Sequence, residues 1–174
     1  MKWLVPIIII TLLFVLQLAI SDMNLWLGVP NLLLCYVSVM LLYRGLNEVL
    51  LISIFAGILL DYFSGLPDGV MVLSMLAATA AAYYLGNMVS AQKLSNFLIL
   101  FYILFSTMGF FLFVLIATEV LAVFGLVSRM DWDGLLTRKL GADVIFNLIF
   151  LYPIFWLYET QIIVLRKFNK NESF

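Results

Sequence analysis

Residues 57 to 69 read Gly57-Ile-Leu-Leu-Asp61-Tyr-Phe-Ser-Gly65-Leu-Pro67-Asp-Gly69. This segment places an acid, Asp61, at the end of an apolar run and follows it with turn-forming residues. An ionised side chain at the centre of a bilayer costs about 2.5–3.5 kcal/mol on insertion scales, and less toward the interface. Such side chains usually face the protein interior or a partner. The segment is therefore the first candidate for a functional site.

The composition predicts a membrane protein. Of the 174 residues, 66% are hydrophobic and 11% are charged, whereas soluble domains have about 45–50% apolar and about 25% charged residues. A chain of this length cannot enclose so much apolar surface in one water-soluble core. The net charge of −1 provides no basic field for nucleic acid. We expect the lipid bilayer as the surroundings and no nucleic-acid partner.

Six apolar segments approach the length of about 20 residues that a helix needs to cross the hydrocarbon core. The predicted fold class is therefore all-α: a polytopic membrane protein with about six transmembrane helices in a single integral-membrane domain, residues 1–174. The predicted spans are residues 3–20, 29–43, 49–63, 69–88, 97–117 and 142–165. The first span follows Lys2 and is long for a signal peptide, so we expect it to be retained.

The apolar run from Phe97 to Val127 contains one charge, Glu119. As one straight helix it would be about 46 Å long, beyond the roughly 30 Å hydrocarbon core. The helix can tilt, bend near Gly109, or end in an interfacial stretch after Glu119. We expect the last, because Gly125 and a polar segment follow.

The basic residues predict the orientation of the spans. With six spans both termini lie on one side of the membrane. Placing them in the cytoplasm leaves six of the nine basic residues inside, which fits the positive-inside rule. The six are Lys2, Arg44, Lys93, Arg166, Lys167 and Lys170. We expect a multi-pass protein with both termini in the cytoplasm.

Asp61 and the turn after it have two interpretations. Gly57 lies one helical turn earlier on the same face, where its lack of a side chain lets another helix approach the acid. Pro67 fixes φ in the turn, and Gly65 and Gly69 permit conformations that other residues resist. Asp61 either contacts a partner or accepts hydrogen bonds from the turn's own amides. In both cases we expect Asp61→Asn to be tolerated, because the amide keeps an acceptor and the size.

Small residues recur every four positions along the fourth predicted span. They are Ser74, Ala78, Ala82 and Gly86. Small side chains let helix backbones pack closely in lipid. We expect this small-residue stripe to be a packing seam, either inside the bundle or against a partner's transmembrane helix.

We predict no catalytic, cofactor or metal site, and no enzyme. The chain has no histidine and one cysteine, Cys35, which excludes an internal disulfide and a Cys/His metal site. Asp61 and Asp143 are the carboxylates that an acid dyad would use. The Asn-x-x-Asp-Arg and Phe-Asn-x-Ala-Asp signatures of lipoprotein signal peptidases are, however, absent.

Two further groups of polar residues have local explanations. Asp143 follows Lys139 by four residues, which predicts an ion pair within one helix. Glu159 and Gln161 lie near the predicted inner boundary, where we expect them to extend toward the basic residues that follow, Arg166 and Lys167.

Several short motifs together resemble the family of the bacterial rod-shape-determining protein MreD. They are Pro30-Asn31-Leu-Leu-Leu, Gly57-Ile-Leu-Leu-Asp61, Ser64-Gly-Leu-Pro67-Asp-Gly69-Val, and Asn147 followed by Pro153. That family has a proline at the start of the second span, Gly-x-x-x-Asp at the end of the third, and a turn ending in Pro-x-Gly. The resemblance covers most of the chain. Asp68 departs from the pattern, since a small or apolar residue is more typical there.

The resemblance implies a non-enzymatic scaffold of the complex that elongates rod-shaped cells by peptidoglycan synthesis (the elongasome). Its expected partners are an MreC-like single-span protein, the peptidoglycan polymerase and transpeptidase pair, and MreB filaments. Its expected location is the bacterial cytoplasmic (inner) membrane. The implied fold is similar to the S component of energy-coupling-factor transporters. The residues expected to bind partners or pack helices are Pro30, Asn31, Gly57, Asp61, Gly65, Pro67, Gly69, Ser74, Ala78, Ala82, Gly86 and Asn147.

The alternative is that the chain is itself an S component, the substrate-binding subunit of a vitamin transporter. Those proteins are similar in size and hold a small ligand near the outer side, between converging polar and aromatic groups. This chain offers Asp61, Glu119, Asp143 and Asn147 at most. A tightly bound vitamin in the purified protein would favour the transporter, and co-purification with a single-span coiled-coil protein would favour the MreD family.

Overall fold

The structure of the chain, a computed structural model, describes residues 3–22, 30–89, 96–127 and 140–171. These residues form six α-helices and contain no β-strand. The helices are α1 (Leu4–Asp22), α2 (Leu32–Tyr43), α3 (Leu46–Ser64), α4 (Val70–Val89), α5 (Asn96–Val123) and α6 (Leu140–Asn171). The predicted all-α class is confirmed for this part of the chain.

Four of these helices, α1, α3, α5 and α6, are long and apolar enough to cross a membrane. Their apolar segments are Leu4–Ser21, Leu46–Ser64, Ile103–Val123 and Ala142–Ile163, and the shorter apolar segments of α2 and α4 are Leu32–Tyr43 and Val70–Gly86. The long helices expose large apolar side chains, as a lipid-facing surface does. Examples are Leu12, Leu51, Leu112 and Ile149.

The helix α5 is continuous through Gly109 and ends four residues after Glu119, at Val123. Gly125 then adopts φ 72°. Its amide donates to the carbonyl of Ala122 at 3.0 Å, and the next amide, that of Leu126, donates to Leu121 at 3.0 Å. This pair of bonds is the Schellman arrangement that closes a helix on a left-handed glycine. The helix therefore ends at the glycine that the sequence places there.

The shortest helix, α2, lies at the centre of the bundle. It contacts each of the other five helices, and every residue from Leu32 to Leu41 is buried. A helix of 12 residues is about 18 Å long, well short of the roughly 30 Å hydrocarbon core. The polar ends of α2 therefore need hydrogen-bond partners from neighbouring helices.

Candidate functional site

The carboxylate of Asp61 caps the helix that follows it, α4. Its Oδ1 accepts a hydrogen bond from the amide of Met71 at 2.7 Å. Its Oδ2 accepts from the amides of Gly69 at 2.9 Å and Val72 at 3.3 Å. The first amides of a helix lack partners within the helix, and their partial positive charge favours an anion. Asp61 is 8% exposed. Of its two interpretations, the structure therefore supports the local cap, in which the carboxylate accepts hydrogen bonds from nearby backbone amides.

The turn between α3 and α4 is built on two glycines with positive φ. Gly65 ends α3 at φ 65°, and Gly69 precedes α4 at φ 95°. Side chains other than hydrogen resist this region, so both positions require glycine. Ser64 closes the turn further, because its Oγ accepts from the amide of Leu66 at 3.1 Å. The carbonyl of Pro67 accepts from the amide of Val70 at 3.3 Å.

Gly57 lies directly against the backbone of α4. A Cβ at this position would be 2.6 Å from the Cα of Val72 and 3.1 Å from its nitrogen. No larger residue fits unless the two helices separate. The amide of Val72 also donates to Asp61, so the missing side chain at residue 57 and the cap at residue 61 belong to one unit. We call Gly57, Asp61 and the turn to Gly69 the α3–α4 clamp.

A second cap covers the start of α2. The Oδ1 of Asn147, on α6, accepts from the amide of Asn31 at 2.7 Å. The Oε1 of Gln17, on α1, accepts from the amide of Leu32 at 3.0 Å. The side chain of Asn31 itself accepts from the amide of Leu34 at 3.0 Å, as an N-cap residue does. Helices from both ends of the chain thus fix the start of α2, and we call this group the α2 cap.

Asn147 also joins α6 to α5 and to the body of α2. Its Nδ2 donates to the Oγ1 of Thr107 at 3.1 Å, and its carbonyl accepts from the Sγ of Cys35 at 3.6 Å. Asn147 is 1% exposed. Pro30, directly before the α2 cap, is buried as well. Three of the predicted site residues, Pro30, Asn31 and Asn147, therefore come together here.

The sequence analysis did not identify Gln17 and Thr107 as site residues. Gln17 is the one side-chain amide in α1, a helix that is otherwise almost entirely apolar. A lone amide in a membrane helix usually hydrogen-bonds to another helix, so the signal was present. Thr107 carried no comparable signal, because a threonine satisfies its own hydroxyl on the preceding helical turn.

The small-residue stripe of α4 lies inside the bundle. Its four residues, Ser74, Ala78, Ala82 and Gly86, are all buried, and α4 packs against α3 and α5. A Cβ on Gly109 of α5 would be 4.0 Å from the Cα of Ala78, so the two backbones approach closely at this point. Of the two interpretations, the geometry favours the internal seam over the docking of a partner helix.

A cavity of about 440 Å³ lies between the α3–α4 clamp and the α2 cap. Its apolar wall includes four aromatic rings, those of Phe14, Phe63, Phe110 and Phe111. Its polar lining consists of Gln17, Ser21, Asn31, Ser64, Thr107, Asp143 and Asn147. The α3–α4 clamp and the α2 cap thus border one partly open cavity.

Polar residues also connect α2 to the second half of α6. The hydroxyl of Tyr36 donates to the Oε1 of Gln161 at 2.7 Å. Gln161 is 6% exposed, so the expectation that it extends toward the basic residues after it was wrong: the buried hydroxyl binds it instead. Glu159 is exposed, and its carboxylate accepts from Tyr43 at 3.4 Å. The predicted ion pair of Asp143 involves Lys139, which lies outside the residues that the structure describes.

A positively charged side chain, that of Arg44, lies at the end of α2. The Nε of Arg44 donates to the hydroxyl of Tyr158 at 3.2 Å, and its Nη1 forms an ion pair with Glu48 at 3.4 Å. Arg44 follows the last residue of α2, where a positive charge interacts favourably with the helix carbonyls. Over the described residues, no group of three metal-ligating side chains is present.

Comparisons with known proteins found no match. No protein-family model matches the chain, and neither a curated protein nor a solved structure shows significant similarity to it. The function is therefore inferred from the residues and geometry of the chain itself.

Proposed function

We propose that this chain is a membrane scaffold of the MreD kind, which acts by binding the helices of other proteins and performs no chemistry. The single observation that supports the proposal is that the polar atoms of the Asp61 and Asn147 side chains are engaged in hydrogen bonds within the protein. Both carboxylate oxygens of Asp61 accept amide hydrogen bonds, and both polar atoms of the Asn147 side chain are bonded. A general acid or base must instead reach a substrate proton. Side chains used in this way stabilise a bundle.

In this proposal the chain lies in the bacterial cytoplasmic membrane with six spans and both termini in the cytoplasm. Its direct partner is an MreC-like single-span protein. Through that protein it joins the peptidoglycan polymerase and transpeptidase pair and the MreB filaments. The short loops between α2, α3 and α4 leave little surface outside the membrane, which favours contacts between transmembrane helices.

The exposed face of α6 is the surface that we assign to the partner helix. Its exposed large side chains are Ile145, Ile149, Tyr152 and Trp156, and their spacing of three or four residues places them on one helix face. Tyr152 is 81% exposed and Trp156 is 67% exposed. Large aromatic residues dominate the binding energy of many interfaces. This face offers such residues in a continuous apolar row.

The test is co-purification with the MreC-like protein of the same organism. The tagged chain is co-expressed with that protein and isolated in mild detergent. We expect the wild type to retain the partner, and Tyr152→Ala combined with Trp156→Ala to lose most of it. The matched control combines Leu12→Ala with Val15→Ala, which shortens two exposed apolar residues of α1. Folded wild-type protein that retains no partner would refute the scaffold proposal.

A further inference from the structure

We propose that the partner helix that docks on the exposed face of α6 carries a neutral polar side chain at the centre of the membrane. This side chain is that of an asparagine, glutamine, serine or threonine, and it hydrogen-bonds to the hydroxyl of Tyr152 and the backbone carbonyl of Ile149. The inference rests on the function proposed above, because it concerns the face assigned there to the partner. It adds a chemical requirement that apolar packing alone does not impose.

The hydroxyl of Tyr152 lies in surroundings that offer it no acceptor. Tyr152 is 81% exposed and lies near the middle of the apolar segment Ala142–Ile163. Both boundaries of the hydrocarbon core are then about 15 Å away, and a tyrosine side chain is too short to reach either. The described residues provide no hydrogen-bond partner for this hydroxyl. A hydroxyl among lipid tails loses the bonds that it makes in water, so it favours a neighbour that accepts from it.

A backbone acceptor lies on the same face. Pro153 is inside α6 and has no N–H, so the carbonyl of Ile149 lacks the donor that a residue four positions later normally supplies. Ile149, Tyr152 and Pro153 are all exposed, which places this break on the side of α6 directed away from the bundle. In transmembrane helices, neighbouring helices commonly satisfy the groups that a proline frees. On this side the neighbour must come from another chain.

The two groups together determine the chemistry of the partner. Side chains of a helix lean toward its N-terminus, which favours a position of the Tyr152 hydroxyl near the level of Ile149. The hydroxyl can donate and the carbonyl accepts, so a matching side chain must both accept and donate. Amides and hydroxyls do both, whereas a carboxylate only accepts and an ammonium only donates. A charge at the bilayer centre is also costly, while neutral polar side chains hydrogen-bond between membrane helices.

The test measures the affinity of the full chain for the MreC-like protein, both purified in mild detergent and the partner fluorescently labelled. Tyr152→Phe removes the hydroxyl and keeps the ring, and Pro153→Ala restores an N–H for the carbonyl of Ile149. We expect each variant to weaken binding about threefold, and the double variant about tenfold. Tyr62→Phe is the matched control, since Tyr62 is 82% exposed near the end of α3, and it should bind as the wild type does. Tyr152→Phe decides the question if Pro153→Ala changes the unfolding temperature.

The partner is tested in the same assay. Each asparagine, glutamine, serine and threonine in the central ten or so residues of its span is replaced by leucine. We expect one replacement to weaken binding to the wild type about threefold, and to have little further effect on the double variant, because the two changes remove the same bonds. A partner span without such a residue overturns the inference.

The remaining outcomes separate this inference from the scaffold function. Wild-type protein that does not bind the partner would refute both. If Tyr152→Ala combined with Trp156→Ala loses the partner, but Tyr152→Phe and Pro153→Ala bind it as the wild type does, the scaffold stands and the polar contact is refuted. A dimer of this chain alone that Tyr152→Phe dissociates would also overturn the inference, because a second copy would then occupy the face.

Discussion

Gly57 and Val72 bring the backbones of α3 and α4 into direct contact, since a Cβ on Gly57 would lie 2.6 Å from the Cα of Val72. The contact has a consequence four residues further along α3. It holds the amide of Val72 at 3.3 Å from the carboxylate of Asp61. Helix packing and helix capping are therefore coupled in the α3–α4 clamp, and a change in one disturbs the other.

Gly57→Ala should destabilise the protein although it adds a single carbon atom. The new Cβ would overlap the backbone of α4, and overpacking of this kind typically costs about 1–3 kcal/mol. Gly45→Ala is the control, because a Cβ there meets nothing within 4 Å. Thermal unfolding of the detergent-purified variants measures the difference. Equal unfolding temperatures for the two variants would contradict the close contact.

Asp61→Asn should also destabilise the protein, which revises the expectation drawn from the sequence. An amide has one acceptor oxygen, whereas both oxygens of Asp61 accept backbone bonds. In either orientation its NH2 group faces an N–H donor, and one unsatisfied buried donor costs about 1–3 kcal/mol. Asp61→Leu should cost more, because it removes every acceptor.

Asp68→Asn is the matched control for this series, since Asp68 is exposed in the same turn. It should unfold at the wild-type temperature. Rod-shape complementation in a strain without its own copy provides the functional measurement. If Asp61→Asn keeps wild-type stability but abolishes complementation, the carboxylate has a role other than capping.

Asn147→Leu should loosen α6 from the start of α2. The substitution keeps the approximate size but leaves the amide of Asn31 and the hydroxyl of Thr107 without their present partner. Each unsatisfied buried group costs about 1–3 kcal/mol. Ile149→Ala is the control, because Ile149 is 59% exposed on the same helix. Equal losses of stability in the two variants would show that the α2 cap contributes nothing specific.

Ala78→Leu should impair folding more than Leu73→Ala does. Ala78 is fully buried against α5, whereas Leu73 is 64% exposed. A bulky side chain in the small-residue stripe forces the backbones apart, and an exposed truncation removes few contacts. The yield of monodisperse protein after gel filtration compares them. A wild-type yield for Ala78→Leu would refute the seam.

Cysteine labelling tests the proposed topology. Asp68→Cys should react with a membrane-impermeant reagent in intact cells, and Asn47→Cys only after permeabilisation. Both positions are exposed, and the native Cys35 is 1% exposed, so its background labelling should be small. Labelling of both variants in intact cells would contradict the six-span arrangement with both termini in the cytoplasm.

The sequence predicted the features that depend on neighbouring residues. Gly57, Asp61 and the two turn glycines lie within 13 residues, so helix periodicity and turn chemistry were sufficient to place them together. The end of α5 followed in the same way from Gly125. These interactions are local, and local rules describe them well.

Interactions between distant helices could not be predicted in this way. Tyr36 and Gln161 are 125 residues apart, and nothing in the polar character of Gln161 indicates that a buried hydroxyl binds it. Likewise, nothing in the sequence indicates how deeply α2 is buried, because its apolar residues are equally compatible with lipid. Which side of an apolar helix faces protein is determined by the packing of the whole bundle.

The capping of α2 from outside has a consequence for the biogenesis of the chain. The amide of its N-cap residue, Asn31, finds an acceptor in Asn147, 116 residues later. A ribosome that has synthesised α2 must therefore continue through α3, α4 and α5 and into α6 before the partner of that amide exists. Until then the start of α2 needs water, lipid headgroups or an insertion factor as a substitute. Nascent chains that stop before α6 should consequently be recognised as incomplete and degraded, so that Asn147 marks the point at which synthesis yields a stable product.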